Sequence, residues 1–265
     1  MALSNSTGHF PKDFILEITL GSIKGFSQDF VVGVQESLDI SDGNITIWDN
    51  KFTLTRLTSD TEIFINSTNT GDTMDIVVTG LDINFEKKSS TTTLSGQTQV
   101  SIGNFRHIQT GIVSGSVTPS GDIYVAESDT LSSGVPDTNS KVKSKIIQGK
   151  NITHNAFFMV PKGKTAITMA IRGSTDSSTK AAIVETVVTL DGGVPLQNIS
   201  YAVSLNFPQF LFPAPVATVD LFGDIISSLS EKTFLEFTAK ADANNTRILF
   251  SIDLICADSA LISLR

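Results

Sequence analysis

Residues that carry chemistry are scarce in this sequence. Its 265 residues include one cysteine, three histidines, one tryptophan and two tyrosines. A lone cysteine, Cys256, excludes an intrachain disulfide and a thiolate cluster, and we expect it to be a small buried apolar residue. The histidines, His9, His107 and His154, lie far apart and belong to no metal-binding or catalytic spacing motif. The sequence therefore predicts no metal centre, no cofactor and no enzyme.

Charge of either sign is also limited. Charged residues make up 17% of the chain, below the roughly 25% typical of soluble domains. The 19 basic residues against 27 acidic ones give a net charge of −8 and form no stripe that could neutralise phosphates. No run of 18 apolar residues occurs, and the first residues lack the pattern of a signal peptide. We therefore expect neither a nucleic acid nor a membrane as a partner.

Short runs of alternating apolar and polar residues, each closed by Gly, Asn, Asp or Pro, dominate the chain. The helical signal is confined to residues 220–232. The pattern predicts more than about 35% strand and less than about 10% helix. The predicted strands are 13–21, 44–49, 61–67, 75–80, 91–94, 98–102, 108–117, 122–126, 143–149, 155–160, 165–173, 181–190, 199–207, 233–241 and 247–255.

Strands of this length and spacing are typical of antiparallel sandwiches. We predict an all-β, jelly-roll-like protein with two sandwich halves. The loop-like stretch 127–141, rich in Gly, Pro, Asp and Ser, is expected to be either a long exposed loop or the boundary between them. The predicted organisation is an N-terminal arm at 1–12, a first half at 13–130 and a second half at 142–265.

Two segments stand out as possible contacts with other subunits. Three prolines exclude a central strand from the apolar segment 206–223, which either caps the core or packs on a neighbour. The arm 1–12 has too few apolar residues to anchor itself in its own core. The candidate inter-subunit contacts are Phe10, Phe207, Phe210 and Phe212.

The segment 67–75 holds the one loop in which aspartates are closely spaced. Asp72 and Asp75 could share a calcium ion with loop carbonyls, or they could simply form a turn between strands, which is the interpretation we favour. In the next strand, Gly80 is expected to allow a positive φ, and Asp82 is expected to form an Asx-turn.

Several motifs, taken in order, resemble virion structural proteins of marine podovirus-like bacteriophages. The resemblance implies a β-rich structural protein of the virus particle and no active site. The motifs are ILEITLGSIKGFS (15–27), ITIWD (45–49), SDTEIFINSTNTGDT (59–73), VTGLDINFEKKSSTTTLSGQTQV (78–100), SGDIYVA (120–126) and IIQGKNITHNAFFMVPKGKTA (146–166).

The sequence thus favours a structural component of a bacteriophage virion, most consistent with a capsid-associated protein. Its expected partners are copies of itself and other virion proteins. The alternative is a fibre or spike domain that binds a host receptor or glycan, which would require exposed aromatic residues on loops. A third class, an enzyme embedded in a tail, would require two carboxylates facing each other across a cleft.

Overall fold

The computed structural model describes residues 14–175, 182–190, 201–203, 217–221 and 228–262. Strands account for 55% of these residues and helices for 7%. Neighbouring strands within the sheets are antiparallel. The predicted all-β antiparallel architecture is confirmed. Neither α-helix in this part of the chain is long and apolar enough to cross a bilayer.

The elements follow one another in a simple order, with one short helix near each end of the described chain. They are α1 Phe14–Thr19, β1 Phe26–Leu38, β2 Ile45–Thr46, β3 Thr61–Ser67, β4 Asp75–Leu81, β5 Lys87–Thr93, β6 Val100–Phe105, β7 His107–Val113, β8 Ile123–Glu127, β9 Leu131–Ser132, β10 Val135–Pro136, β11 Val142–Ile146, β12 Phe157–Met159, β13 Lys164–Thr175, β14 Ala182–Leu190, β15 Tyr201–Val203, β16 Ala217–Leu221, β17 Thr233–Ala241, β18 Thr246–Asp258 and α2 Ser259–Ile262.

The first and last strands belong to one jelly roll. One sheet has the order β1-β18-β13-β16 and the other β12-β17-β14-β15, with β2 also paired to β17. Each sheet thus interleaves early and late strands, as two Greek keys wound together do. The two sheets enclose a shared apolar core, in which the rings of Phe237 and Phe250 lie 4.3 Å apart. The predicted jelly roll is therefore present, with four strands in one sheet and five, counting the short β2, in the other.

A second sandwich is inserted between β2 and β12. Its sheets have the orders β11-β8-β3-β6 and β5-β4-β7, and it has an apolar core of its own. The two sandwiches are therefore not consecutive in the chain, unlike the predicted halves 13–130 and 142–265. The difference arises because β1 pairs with β18 from Phe26 opposite Ala257 onward, which closes the jelly roll around the insertion.

The stretch 127–141 is part of the inserted sandwich and not a boundary. It contains the hairpin β9–β10, which lies close to strand β3. The buried Asn66 side chain donates a hydrogen bond of 2.6 Å to the Gly134 carbonyl. Gly134 also has a φ of +80°, and an added Cβ would meet the Ser67 carbonyl oxygen. The Gly- and Pro-rich composition of residues 127–141 therefore corresponds to a tight, packed turn.

The N-terminal strand prediction was wrong, because residues 14–19 form a helix. Ile18, which is 3% exposed, packs against Ile255 of β18, so only one face of this short helix contacts the sheet. The strand β1 follows it and was not predicted. Its apolar alternation is interrupted by Gly33 and by the buried Gln35, whose Nε2 donates to the Asn50 carbonyl.

Gly80 is needed for a different reason from the one predicted. Its φ is not positive; instead, a Cβ at this position would lie 2.0 Å from the His107 carbonyl oxygen on the paired strand β7. The Asx-turn at Asp82 is confirmed, because its Oδ1 accepts hydrogen bonds from the backbone N–H groups of Asn84 (2.8 Å) and Glu86 (2.9 Å).

Candidate functional site

A third apolar cluster lies where the inserted sandwich meets the jelly roll, and we call it the junction. The single tryptophan, Trp48, is 1% exposed there and contacts the ring of Phe157 edge-on, with the centroids 6.1 Å apart. Side chains from both sandwiches contribute to the cluster, so it fixes how one sits on the other. Its members are Trp48, Leu54, Leu81, Phe85, Tyr124, Ala126, Val142, Phe157, Met159 and Phe234.

His107, the first residue of β7, is buried at this junction. Its ring meets the rings of Phe157 and Phe234 edge-on at 5.9 and 5.5 Å. Burial, together with the nearby positive charges of Arg56 and Arg106, lowers the pKa of His107 to about 3. Within the described part of the chain, its Nε2 has no hydrogen-bond partner. His107 is therefore a neutral residue held in an apolar and cationic setting.

Charged side chains lie beside the rings of this cluster. The guanidinium of Arg56 lies 4.7 Å from the centroid of Phe234 and donates from Nη1 to Thr189 at 2.7 Å. Glu236, on β17, accepts a hydrogen bond from Thr46 Oγ1 at 2.5 Å. Burial raises the pKa of Glu236, and the Thr46 hydrogen bond and the Arg56 charge partly oppose that rise. The junction thus combines aromatic packing with buried charge.

A second histidine, His154, is held by a carboxylate. Asp49 Oδ2 accepts from the His154 ring at 3.0 Å and from its backbone N–H at 2.8 Å. Burial raises the pKa of Asp49, and the contacts with His154 oppose the rise. An Asp–His pair orients the base in serine hydrolases, but no Ser, Thr or Cys of the described residues is hydrogen-bonded to this imidazole. The pair fixes the turn that leads into β12.

The two aspartates considered for calcium make separate hydrogen bonds. Asp72 is 3% exposed, and its carboxylate accepts from Ser67 Oγ (2.6 Å) and from the backbone N–H groups of Ser120 and Gly121 (both 3.0 Å). Asp75 is exposed and accepts from Thr93 Oγ1. Among the described residues, no group of three or more His, Cys, Asp and Glu is placed to hold a metal.

We expect Asp72→Asn to lower the free energy of unfolding by about 2 kcal/mol, because an amide can accept at only one of the two positions that the three donors occupy. Urea unfolding measures the change. Asp75→Asn is the matched control and should change stability by less than about 0.5 kcal/mol. A fall in melting temperature on adding EDTA, abolished by either substitution, would instead support a shared calcium ion.

Cys256 is buried in the middle of the sheet. It is 0% exposed, and burial raises the pKa of its thiol, with the nearby Asp29 carboxylate acting in the same direction. We expect no reaction with a thiol reagent at pH 8 while the chain is folded and one reactive thiol after unfolding in urea, because the thiolate is the reactive form. A Ser89→Cys variant, exposed on β5, provides the reactive control. Rapid labelling of the folded wild-type chain would contradict this assignment.

Exposed apolar side chains gather where α1 lies on β1. Leu16 and Leu20, one helical turn apart, are 55% and 69% exposed, and Phe30 of β1 is 60% exposed. Between the helix and the strand runs a groove of about 450 Å³, lined by Ile18, Phe26 and Phe30 among others. We call this region the α1–β1 surface. Exposed apolar patches of this kind often mark contacts with other molecules.

The inserted sandwich also has an uncovered face, on the sheet β5-β4-β7. Cross-strand rows along this face are Ser89–Thr79–Thr110 and Thr91–Val77–Ile112. These six side chains are uncharged, and Ser89, Thr91 and Ile112 are exposed. The centre of the face therefore offers uncharged hydroxyl and methyl groups, while Asp75 and Lys87 place charges at its two ends.

The predicted contact residues are not tested by the structure. The candidates Phe10, Phe207, Phe210 and Phe212 lie outside the described residues. The α1–β1 surface was missed because residues 13–21 were assigned to a strand. The spacing of Leu16 and Leu20, four residues apart on one helical face, is the signal that could have indicated it.

Comparisons with known proteins give little beyond this geometry. No family model and no curated protein matches the sequence. A structure of the infectious bursal disease virus VP2 subviral particle aligns over 94% of this chain and 78% of its own, with 7% identity and a TM-score of 0.22. A structure of the infectious bursal disease virus Gt strain aligns over 92% and 82%, with 7% identity and a TM-score of 0.19. Scores this low carry no argument, so the fold assignment depends on the strand order.

Proposed function

We propose that this chain is a structural protein of a virus particle, working as repeated copies. The observation that carries the proposal is the jelly roll, with its interleaved four-stranded and five-stranded sheets and a second sandwich inserted between β2 and β12. Jelly rolls form the subunits of many viral shells, although they also occur in lectins and cupins. In this arrangement the jelly roll would contact neighbouring copies, and the inserted sandwich would project from them.

The α1–β1 surface supports assembly. Leu16, Leu20 and Phe30 would remain in water in an isolated chain, and burying such side chains contributes about 1.5–3 kcal/mol each before ordering costs. Copies packed together would cover them. The finer assignments, a bacteriophage virion and a capsid-associated position with other virion proteins as partners, follow from the motif resemblance and belong to the same proposal. So do the contacts at Phe10, Phe207, Phe210 and Phe212.

Analytical ultracentrifugation of the purified chain tests the proposal. We expect a concentration-dependent assembly in the wild type and a monomer in a Leu16→Lys/Leu20→Lys variant with an unchanged far-UV circular dichroism spectrum. The matched control is Ile83→Lys/Val117→Lys, because both residues are more than half exposed in the inserted sandwich. A wild-type chain that is monomeric at every concentration, or a control that dissociates equally, would reject this interface.

A receptor- or glycan-binding module is the second candidate. The centre of the uncovered face of β5-β4-β7 favours it, because its uncharged hydroxyl and methyl groups suit a neutral partner. Binding on a glycan array that is lost on Thr79→Lys/Thr110→Lys, with assembly retained, would select this alternative.

A further inference from the structure

The inserted sandwich and the jelly roll have separate cores. One cluster of buried residues lies inside the jelly roll and another inside the insertion, and the junction cluster lies between them. The chain crosses between the two sandwiches twice, after β2 and before β12. Loss of the junction packing alone would therefore leave both sandwiches intact.

His107 is placed so that a proton on its ring would act on this junction. The ring is buried between Phe157 of β12 and Phe234 of β17, both from the jelly roll, while His107 belongs to the insertion. We propose that the junction is an acid-sensitive hinge, in which protonation of His107 favours separation of the inserted sandwich from the jelly roll.

The groups around His107 offer a proton no compensation. Arg56, before β3, and Arg106, before β7, are the charges whose fields reach it, and both repel a cation. In the described structure its Nε2 has no acceptor. A charged imidazole in this position would thus be desolvated without a counterion, which is costly.

Other titratable groups lie on the elements packed against β7. Glu236 of β17 is bound to Thr46, and Lys143 of β11 is paired with Glu127 at 2.8 Å. The pair Asp49–His154 precedes β12. None of these is hydrogen-bonded to His107 Nε2, which has no partner among the described residues. Glu236 acts in the opposite direction, because burial raises the pKa of its carboxyl and its protonation favours the closed junction.

The sign of the pH dependence follows from the two states. The His107 pKa is about 3 in the closed junction and about 6.5 when the ring is in water. The open state therefore binds the proton first as pH falls below 6.5. The opening equilibrium constant should rise about tenfold per pH unit between these values, less the opposing contribution of Glu236.

Trp48 provides the readout, because it is the only tryptophan and belongs to the junction. The full-length chain is titrated from pH 7 to pH 3 while Trp48 emission and far-UV circular dichroism are recorded. As the pH falls, we expect the Trp48 emission to shift to longer wavelengths first. The far-UV circular dichroism signal of the strands should be lost only about one pH unit lower, if at all. In His107→Gln or His107→Leu, the midpoint of the emission change should fall by about one pH unit or more.

His154→Gln is the matched control, since His154 is bound to Asp49 and does not belong to the junction cluster, and its midpoint should stay at the wild-type value. Two results would overturn the proposal. One is loss of the Trp48 and strand signals at the same pH in the wild-type chain, which needs no variant. The other is an unchanged emission midpoint in a folded His107 variant.

Discussion

Replacement of Gly33 by alanine is expected to destabilise the protein by about 3 kcal/mol, the upper end of the usual cost of overpacking. Gly33 lies in β1, opposite Phe250 of β18. A Cβ there would be 2.3 Å from the Ala156 Cβ, 2.7 Å from the Ile47 carbonyl oxygen and 2.8 Å from the Ala156 nitrogen. These are mostly backbone and short side-chain atoms that cannot move aside by rotating a side chain.

Gly33 packs against a backbone hydrogen bond between Ile47 and Ala156. The Ala156 N–H donates to the Ile47 carbonyl at 2.8 Å, and both residues are hydrogen-bonded to the backbone of Phe237. This hydrogen bond joins the two chain crossings at the base of the inserted sandwich. A methyl group at position 33 would press on it from the other sheet.

Urea unfolding at neutral pH measures the Gly33→Ala effect. The control is Gly71→Ala, because φ there is not positive and the nearest atom, Asn69 Oδ1, would be 3.2 Å away. We expect this control to change the free energy of unfolding by less than about 0.5 kcal/mol. Equal stabilities of the two variants would show that the sheets can separate at Gly33 without cost.

Alternation in the sequence predicted most of the described strands of both sandwiches. The runs 61–67 and 233–241 coincide with β3 and β17, and 75–80 falls one residue short of β4. Each of these strands buries one or both faces, so the positions of its apolar side chains in the sequence indicate which face is turned toward the core. The jelly-roll form followed from the number and spacing of such runs.

The chain order of the two sandwiches was not predictable in the same way. The pairing of β1 with β18 joins residues more than two hundred positions apart, and no local pattern specifies such a partner. Residues 127–141 read as a boundary because Gly, Pro and Asp occur equally in linkers and in packed hairpins. Local composition therefore predicted the strands but not the insertion of one sandwich into the other.

The same limit applies to the junction. His107 belongs to no sequence motif, whereas in the structure its ring is buried against rings from two distant strands. Arg56, about fifty residues earlier in the chain, comes close to His107 only in the folded structure. Side chains that meet across sandwiches leave no periodic signal within either one.

Phe234→Ala is expected to lower the free energy of unfolding by about 4 kcal/mol, within the 3–5 kcal/mol typical of a buried phenylalanine. Phe234 is fully buried, its ring meets that of His107 at 5.5 Å, and the Arg56 guanidinium lies 4.7 Å from its centroid. The truncation would therefore leave a cavity and also remove the ring that faces a buried cation. Phe234→Leu keeps much of the volume but not the ring, so it should cost about half as much.

Comparison with Phe52→Ala separates this effect from the general cost of losing a ring near the junction. Phe52 is 43% exposed, and its carbonyl, which accepts from Trp48 Nε1, is unchanged by the substitution. Phe52→Ala should lower the free energy of unfolding by less than about 1 kcal/mol in the same urea titrations. If Phe234→Ala unfolds at the wild-type urea concentration, the junction contributes little to the stability of the whole chain. A large loss of stability in Phe234→Ala, with little change in Phe52→Ala, would show that the folded chain depends on the packing of this ring, which belongs to β17 as well as to the junction.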